Sequence, residues 1–307
     1  MSVPEVAEGM TVDQGTRTGS RWTVLGVPID SVAAPAGGPV FGTEAAPATL
    51  RTMGLVRRLC ADDAGDLEVR VVGPDRDPVS GIVGWPSLRP VTIALRRAVA
   101  DLIEAGARPL LLGGCCALLP GAVAGARDVM GRLGLAYADG HVDVYDNRTS
   151  PTGEAADMPV AALLGHGWPG WLDTLGSLPV VAGADVVVLG ARDEQEAADI
   201  GALPHLLGIT VLGPSELPPG DQVLELLAPQ QFWLHLDLDV LDQEAFPATD
   251  SLMPGGLELA ELSDLLRPLG RSERVIGASI GCYNPSKDDS GAYGRALTDL
   301  LVDVLVP

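Results

Sequence analysis

Hydrophobic residues along the chain form short apolar runs that alternate with longer stretches of helical periodicity. Runs such as Pro109 to Leu112 and Ala184 to Leu189 are almost entirely apolar, which is typical of central parallel strands covered on both faces. We predict strands near 22–27, 68–72, 109–113, 133–138, 180–190, 209–212, 231–239 and 274–281. We predict helices near 43–58, 89–106, 116–131, 157–165, 194–203, 221–229, 258–268 and 290–305. This alternation predicts an α/β fold, a three-layer αβα sandwich around a mostly parallel sheet.

The same pattern suggests how the chain is organised. Residues 1–20 are polar and lack periodicity, so we expect a mobile N-terminal arm. Residues 21–307 are expected to form a single α/β domain. The 18 uncharged residues from 109 to 126 are long enough for a membrane span, but their internal glycines and Pro120 favour a strand, turn and helix. Turns rich in glycine and proline at 35–39 and 254–256 are expected to line a ligand site.

Two polar segments interrupt the apolar pattern at a period of two residues. One contains Asp139, His141 and Asp143, and the other contains His235, Asp237 and Asp239. The residues that alternate with the second set, Leu234, Leu236 and Leu238, would face a core. Carboxylates and imidazoles beside a core are costly to bury unless a cation neutralises them, and Mn, Fe, Zn or Mg would suit these ligands. The alternative is a set of solvated carboxylates at strand ends.

The composition of the chain limits the classes of partner that it could bind and the compartment in which it is expected. The chain has 307 residues, 47% of them hydrophobic, and a net charge of −21. This charge disfavours nucleic acid and anionic membranes as partners, and it is compatible with a small cationic substrate. The start of the chain lacks the pattern of a signal peptide, and the four cysteines do not form a secreted disulfide framework. We therefore expect a cytoplasmic protein.

Taken in order, the motifs of this chain resemble those of the ureohydrolase superfamily, which contains arginase, agmatinase and their relatives. The motifs that carry the resemblance are Gly113-Gly-Cys-Cys116, Asp139-Gly-His-Val-Asp143, Asp237-Leu-Asp-Val-Leu-Asp242, Pro254-Gly-Gly-Leu257 and Asn284-Pro285. The resemblance covers residues 22–305. It implies an arginase-like fold, and it is compatible with a homo-oligomer, since the superfamily includes monomers, trimers and hexamers.

The resemblance also implies a metal centre of two ions, usually Mn²⁺, whose bridging hydroxide attacks a guanidinium carbon. Asp139 and Asp237 would bridge the two ions. Asp143 and Cys116 would complete one position, and His141 and Asp239 would complete the other. The substrate would be a small cation.

Four positions depart from the family pattern. Cys116 stands where the family has a metal-binding histidine, and its alternative is an inert buried cysteine. A cysteine there resembles the branch that hydrolyses N-hydroxyarginine. Cys115 replaces an aspartate, Cys282 replaces the glutamate that pairs with the guanidinium in arginase, and Ala156 replaces the proton-shuttling histidine of arginase.

Other residues could take over the missing roles. Glu154 and His235 are candidate catalytic residues, and Asp157 is a weaker one. Their alternatives are an exposed loop residue, a hydrogen-bonding support and a helix N-cap, respectively. By resemblance, Tyr145, Thr152 and Asp193 would bind substrate.

These observations leave three hypotheses for function. The leading one is a metal-dependent hydrolase of a linear C–N bond in a guanidino or hydroxyguanidino compound, with little activity on arginine itself. Its rival is a ureohydrolase fold that has lost catalysis and serves in binding or regulation. Cys115, Ala156 and Cys282 favour the rival, whereas the five retained Asp and His ligands favour the enzyme. A different hydrolytic reaction on the same centre is the third hypothesis.

Overall fold

The computed structural model describes residues 21–30, 42–68, 75–199, 201 and 207–307. The predicted N-terminal arm and the turn at 35–39 therefore lie outside the described residues. The predicted strand at 68–72 and the end of the predicted helix at 194–203 lie largely outside them as well.

Among the described residues, eight parallel strands form one central sheet in the order β2-β1-β3-β8-β7-β4-β5-β6. The strands are β1 Trp22–Val27, β2 Asp62–Asp66, β3 Arg108–Gly113, β4 Gly134–Ala138, β5 Val186–Leu189, β6 Thr210–Leu212, β7 Phe232–Asp237 and β8 Val275–Gly281. The sheet is entirely parallel, so each connection crosses one of its faces and places helices there.

Helices cover both faces, as the alternation predicts. They are α1 Ala46–Thr52, α2 Leu55–Arg58, α3 Leu88–Glu104, α4 Leu119–Met130, α5 Pro159–Leu163, α6 Pro169–Leu172, α7 Glu194–Asp199, α8 Gly220–Leu226, α9 Leu259–Gly270 and α10 Ala292–Leu305. Helices α3 to α7 share one apolar core with the sheet, and α1, α2, α8, α9 and α10 share the other. The predicted three-layer αβα fold is therefore confirmed.

The structure differs from the predicted elements in a few places. The edge strand β2 is formed by the exposed acidic residues Asp62–Asp66, where no strand was predicted. A single helix predicted over 43–58 is divided, because Gly54 adopts a φ of 86° between α1 and α2. The short helix α6 was not predicted.

The uncharged run from 109 to 126 is divided among β3, a 3₁₀ turn and the first part of α4. The interpretation as a strand, turn and helix is therefore correct. Within the part of the chain that the structure describes, no helix has the length and apolar character needed to cross a bilayer.

Four neighbouring strands, β3, β8, β7 and β4, end at the same edge of the sheet. All the predicted metal ligands lie at or just after the ends of three of these strands, and Cys282 follows the fourth. Side chains that are far apart in the sequence are therefore brought together there, as expected for the carboxyl ends of parallel strands.

Candidate metal centre and active-site cavity

A carboxylate and imidazole group forms beyond the ends of β4 and β7. His141 Nδ1 lies 3.0 Å from Asp239 Oδ2 and 3.5 Å from Asp139 Oδ1. The potential ligand atoms of these three residues all lie within 4.8 Å of one another. This group is one candidate position for a metal ion, which we call the carboxylate position.

A second group contains sulfur and lies beyond the ends of β3, β7 and β8. Cys116 Sγ lies 2.6 Å from Asp237 Oδ2 and 3.7 Å from Cys282 Sγ. The potential ligand atoms of these three residues also lie within 4.8 Å of one another. We call this group the thiol position.

Asp139 connects the two groups. Besides its place beside His141 and Asp239, it forms a third set of potential ligands with Cys116 and His235. Its Oδ2 is buried and has no hydrogen-bond partner among the described residues. An orphaned buried carboxylate oxygen between two such groups fits the bridging role that the family resemblance implies.

The backbone orients the carboxylates through local amide bonds. The amide of His141 donates to Asp139 Oδ1 at 2.8 Å, and the amide of Asp239 donates to Asp237 Oδ1 at 2.9 Å. The amide of Gly140 donates to Asp239 Oδ1, also at 2.9 Å. These bonds fix the carboxylates without satisfying all their lone pairs.

Asp143 is held differently from the other predicted ligands. Its carboxylate accepts a hydrogen bond from the hydroxyl of Tyr137, and its backbone has a φ of 50°. Strand β4 ends at Ala138, so Asp139, His141 and Asp143 lie in the loop that follows it, and the left-handed backbone of Asp143 cannot continue an extended segment. Asp143 still lines the cavity beside His141.

Two supporting residues were missed from the sequence. Tyr137 pairs in register with His235, and their rings stack with centroids 4.9 Å apart. Ser279 Oγ lies 2.7 Å from His235 Nδ1 and accepts a hydrogen bond from Trp233 Nε1. The signal for Tyr137 is its place two residues before Asp139, and that for Ser279 is its polarity within an apolar strand.

The electrostatics of the centre fit divalent cations. Burial raises the pKa of Asp139 and Asp143 well above the ordinary value, and it raises the pKa of Asp237 to about 6. Neighbouring carboxylates raise the pKa of Asp139 and Asp237 further. Such a crowded buried set is costly as anions alone, and cations would remove that cost.

His141 behaves as a counter-charge for these carboxylates. Burial is the largest single effect and would lower its pKa, but the charges and hydrogen bonds of Asp239 and Asp139 together outweigh burial and raise the pKa. Burial would likewise raise the pKa of Asp239, yet the charge and hydrogen bond of His141 leave it lowered. A metal ion at the carboxylate position would therefore replace the proton on His141.

Glycines allow the loops at this edge to approach closely. A Cβ on Gly140 would lie 2.7 Å from the carbonyl oxygen of Asp239, and one on Gly114 would lie 1.5 Å from the carbonyl oxygen of Ile29. Close packing therefore explains why Gly114 of the first motif and Gly140 of the second motif are glycines.

A cavity of about 300 Å³ opens over the centre. Its lining contains Thr43, Cys115, His141, Asp143, Tyr145, Pro151, Thr152, Glu154, Ala156, Asp157, Asp193, Glu196, Asp237, Asp239, Asp250, Ser251 and Cys282. Eight of these residues are Asp or Glu, and none of the described lining residues is Lys or Arg. The cavity therefore suits a cation.

The predicted substrate-binding residues lie on the walls of this cavity. The hydroxyl of Thr152 donates to Asp157 Oδ2 at 2.6 Å and accepts from the amide of Glu154 at 2.9 Å. Asp193 Oδ1 accepts from the amide of Val142, and burial raises its pKa to about 6. Tyr145 is buried, and burial raises the pKa of its phenol.

The candidate catalytic residues are placed unequally. Glu154 is half-buried, and both Glu154 and Asp157 line the cavity. Asp157 is not a helix N-cap, because the N-cap of α5 is Met158. His235 is fully buried, with Nε2 3.1 Å from Cys116 Sγ, and burial lowers its pKa to about 3. It lies behind Cys116 and is not among the residues lining the cavity.

Sequence reasoning overlooked part of the wall. Ser251 Oγ lies 3.3 Å from His141 Nε2, and Asp250 beside it pairs with Lys287 Nζ at 2.7 Å. Both precede the glycine turn at 254–256, which Asp242 holds by accepting the amide of Gly255 at 2.7 Å. Their position between two recognised motifs was the available signal.

The comparisons agree with this geometry. The model of the arginase family matches residues 20–306, so the chain belongs to the arginase family. An arginase from Brevibacillus brevis is 28% identical over 298 residues, which cover 92% of this chain and 96% of that protein. The arginase structure from Bacillus cereus superposes with a TM-score of 0.81 at 26% identity and covers 94% of this chain and 98% of that one.

A more distant structure shares the fold. Proclavaminate amidino hydrolase from Streptomyces clavuligerus has a TM-score of 0.69 at 20% identity, covering 94% of this chain and 91% of that chain. The predicted family and its fold are therefore confirmed. Membership of the branch with a cysteine at the first metal ligand stays a prediction, as do the assignments of individual site residues.

Proposed function

We propose that this protein is a metal-dependent hydrolase of a C–N bond in a small cationic guanidino or hydroxyguanidino compound. The observation that carries the proposal is the arrangement of buried carboxylates, imidazole and thiols at the floor of an acidic cavity. Both candidate metal positions reach this cavity, through His141 and Asp239 on one side and through Asp237 and Cys282 on the other.

Each group of residues has a role in this proposal. Asp139, His141, Asp143, Asp237, Asp239 and Cys116 hold the ions, for which Mn²⁺ is the family expectation. Divalent ions, when bound there, would supply activated water at neutral pH. The walls hold the cationic substrate through carboxylates such as Asp193 and Glu196, with Tyr145 and Thr152 orienting its far end.

The departing positions shape the choice of substrate. Ala156 and Cys282 both line the cavity, so the groups that arginase uses there are absent from the wall itself. Glu154 is the remaining candidate for carrying a proton to the leaving amine from this loop. Loss of one general acid or base typically costs about 10²–10⁴ in rate. We therefore propose weak hydrolysis of arginine and better hydrolysis of a hydroxyguanidine, which is less basic than a guanidine and so depends less on the carboxylate that Cys282 replaces.

A panel of substrates tests this proposal. Protein purified without chelator and supplied with Mn²⁺ is incubated with L-arginine, with N-hydroxy-L-arginine and with a guanidinoalkylamine that lacks a carboxylate. The release of urea or hydroxyurea is then measured. We expect release from the hydroxyguanidine at least about tenfold faster than from arginine. Arginine turnover equal to or faster than that of the hydroxyguanidine would contradict the choice of substrate.

The same experiment separates the enzyme from its rival. Cys115, Ala156 and Cys282 leave room for a catalytically silent member of the family that only binds guanidino compounds. Fully metallated protein that binds the panel in calorimetry, yet releases no product from any member, would establish that alternative and overturn the proposed hydrolysis.

A further inference from the structure

Cys282 is the least explained residue of the centre, since it replaces a carboxylate and yet faces a second thiol. Its Sγ lies 3.7 Å from Cys116 Sγ, and the two cysteines come from segments 166 residues apart in sequence. Cys282 directly follows β8, and Cys116 lies three residues beyond β3, its neighbour in the sheet. The meeting of the two sulfurs is therefore a consequence of strand order.

We propose that Cys116, Cys282 and Asp237 form a thiolate-rich metal position that prefers a thiophilic ion such as Zn²⁺, so that the two positions of the centre hold different metals. The carboxylate position, with Asp139, His141 and Asp239, keeps the preference for Mn²⁺. The proposal shares the metal centre with the proposed hydrolysis, but it concerns metal choice and not turnover.

The donor atoms carry this assignment. Two sulfurs and one carboxylate oxygen lie within 4.8 Å of one another, close enough for one ion to contact all three. Thiolates select Zn²⁺ and similar ions, whereas carboxylates suit Mn²⁺. Zn–S bonds of about 2.3 Å let two sulfurs share one ion in a tetrahedral site. The carboxylate position contains no sulfur and offers no such preference.

The surroundings make room for the sulfurs. A Cβ on Gly281 would lie 3.0 Å from Cys116 Sγ and 3.6 Å from His235 Cε1, so glycine allows the thiol to pack against β8. His235 Nε2 contacts the same sulfur at 3.1 Å, and Ser279 holds the other ring nitrogen. A hydrogen bond from His235 to a metal-bound thiolate would support it, as contacts behind metal ligands usually do.

Cobalt reports this geometry directly, because thiolate-bound Co²⁺ shows a sulfur-to-metal charge-transfer band and carboxylate-bound Co²⁺ does not. Reduced full-length protein, freed of metal, is titrated with Co²⁺ as wild type, C116S, C282S and the double variant. We expect the band in the wild type, about half its intensity in each single variant and none in the double variant. Cys60→Ser is the matched control, since Cys60 is exposed and lies outside the cavity.

A competition between Zn²⁺ and Mn²⁺ tests the preference itself. We expect equimolar Zn²⁺ to displace Mn²⁺ from one of the two positions in the wild type, and the double variant to lose this selectivity by about tenfold or more. Mn²⁺ bound at the carboxylate position, detected by electron paramagnetic resonance, shows that each variant is folded.

Two results would overturn the proposal. One is a Co²⁺ band of wild-type intensity in a folded C282S protein, which would exclude Cys282 as a ligand. The other is equal Zn²⁺ selectivity in the wild type and the double variant. Absence of hydrolysis with every substrate would leave these metal-binding results standing, so the two proposals can fail separately.

Discussion

Individual candidate ligands at this site are oriented by contacts with neighbouring side chains that are not ligands themselves. Tyr137 supports Asp143, Ser279 supports His235, and His235 contacts Cys116. Contacts of this kind set the orientation of metal ligands, and their loss weakens binding even though the ligands remain. Substitutions at single residues should therefore separate ligands from their supports.

Removal of Asp237 should disrupt metal binding at both positions of the centre. Asp237→Ala removes one candidate bridging carboxylate and also the acceptor that holds the amide of Asp239 at 2.9 Å. We expect metal to be lost from both positions, measured by elemental analysis of protein purified without chelator. Asp221→Ala, on the exposed face of α8, is the control. Undiminished metal content in Asp237→Ala would refute the bridging assignment.

Tyr137→Phe should weaken metal binding without removing a ligand. The variant keeps the ring that stacks on His235 and loses only the hydroxyl that donates to Asp143. We expect metal affinity to fall by about 10–100-fold, as is common when such a support is lost. Competition with a chelator of known affinity measures the change. Tyr293→Phe is the control, because the ring of Tyr293 packs on Phe246 in the other core, and this variant should bind metal like the wild type. Metal affinity in Tyr137→Phe equal to that of the wild type would show that the hydroxyl of Tyr137 does not support the centre.

At the scale of elements, the site depends on loops that tie neighbouring strands together. Arg192 follows β5, and its guanidinium donates to the carbonyls of Gly190, Val240 and Asp239, the last at 2.6 Å. It thus joins the end of β5 to the end of β7 and is not among the residues that line the cavity. The next residue, Asp193, faces the cavity. Of these two consecutive residues, Arg192 therefore holds the loop, whereas Asp193 lines the cavity.

Arg192→Ala should loosen this junction. A buried carbonyl that is left without its hydrogen-bond donor lowers the free energy of unfolding by about 1–3 kcal/mol, and by more when the lost donor was charged. We expect a lower midpoint of thermal unfolding. We also expect weaker metal binding, because one of the carbonyls that lose their donor is the backbone carbonyl of Asp239. Arg192→Lys keeps the charge but cannot reach three acceptors, so it should fall between Arg192→Ala and the wild type. Wild-type stability and metal affinity in Arg192→Ala would show that the junction holds without it.

For the whole molecule, the concentration of negative charge is the dominant feature. The net charge is −21, and the cavity concentrates carboxylates at one end of the sheet. Cations that bind the folded chain and not the unfolded chain should stabilise it by mass action.

Metal should therefore raise the unfolding temperature. At a free metal concentration of 100 times the dissociation constant, binding contributes about 2.7 kcal/mol, which corresponds to a rise of several degrees for a chain of this size. Calorimetry of metal-free protein, with and without Mn²⁺, measures the shift. NaCl at the same ionic strength is the control for general screening of charge. An equal shift with NaCl and with Mn²⁺, or no shift with Mn²⁺, would argue against a specific centre.

Much of this protein could be predicted from the sequence. Continuous apolar runs and helical periodicity predicted the αβα architecture, because burial on both faces of a parallel sheet imposes such patterns. The spacing of Asp139, His141, Asp237 and Asp239 indicated the end of the sheet where the site lies. The motifs also identified the family, since their glycines and carboxylates are required by close packing and charge at that edge.

Other features were decided only by the tertiary structure. The exposed acidic strand β2 has no apolar signal, and its place depends on pairing with β1. The contacts of Cys116 with Cys282, and of Ser279 with His235, join residues on strands that become neighbours only when the sheet assembles. A local sequence pattern indicates which face of a strand or helix each residue occupies. The order of the strands in the sheet determines which side chains come into contact, and long-range packing sets that order.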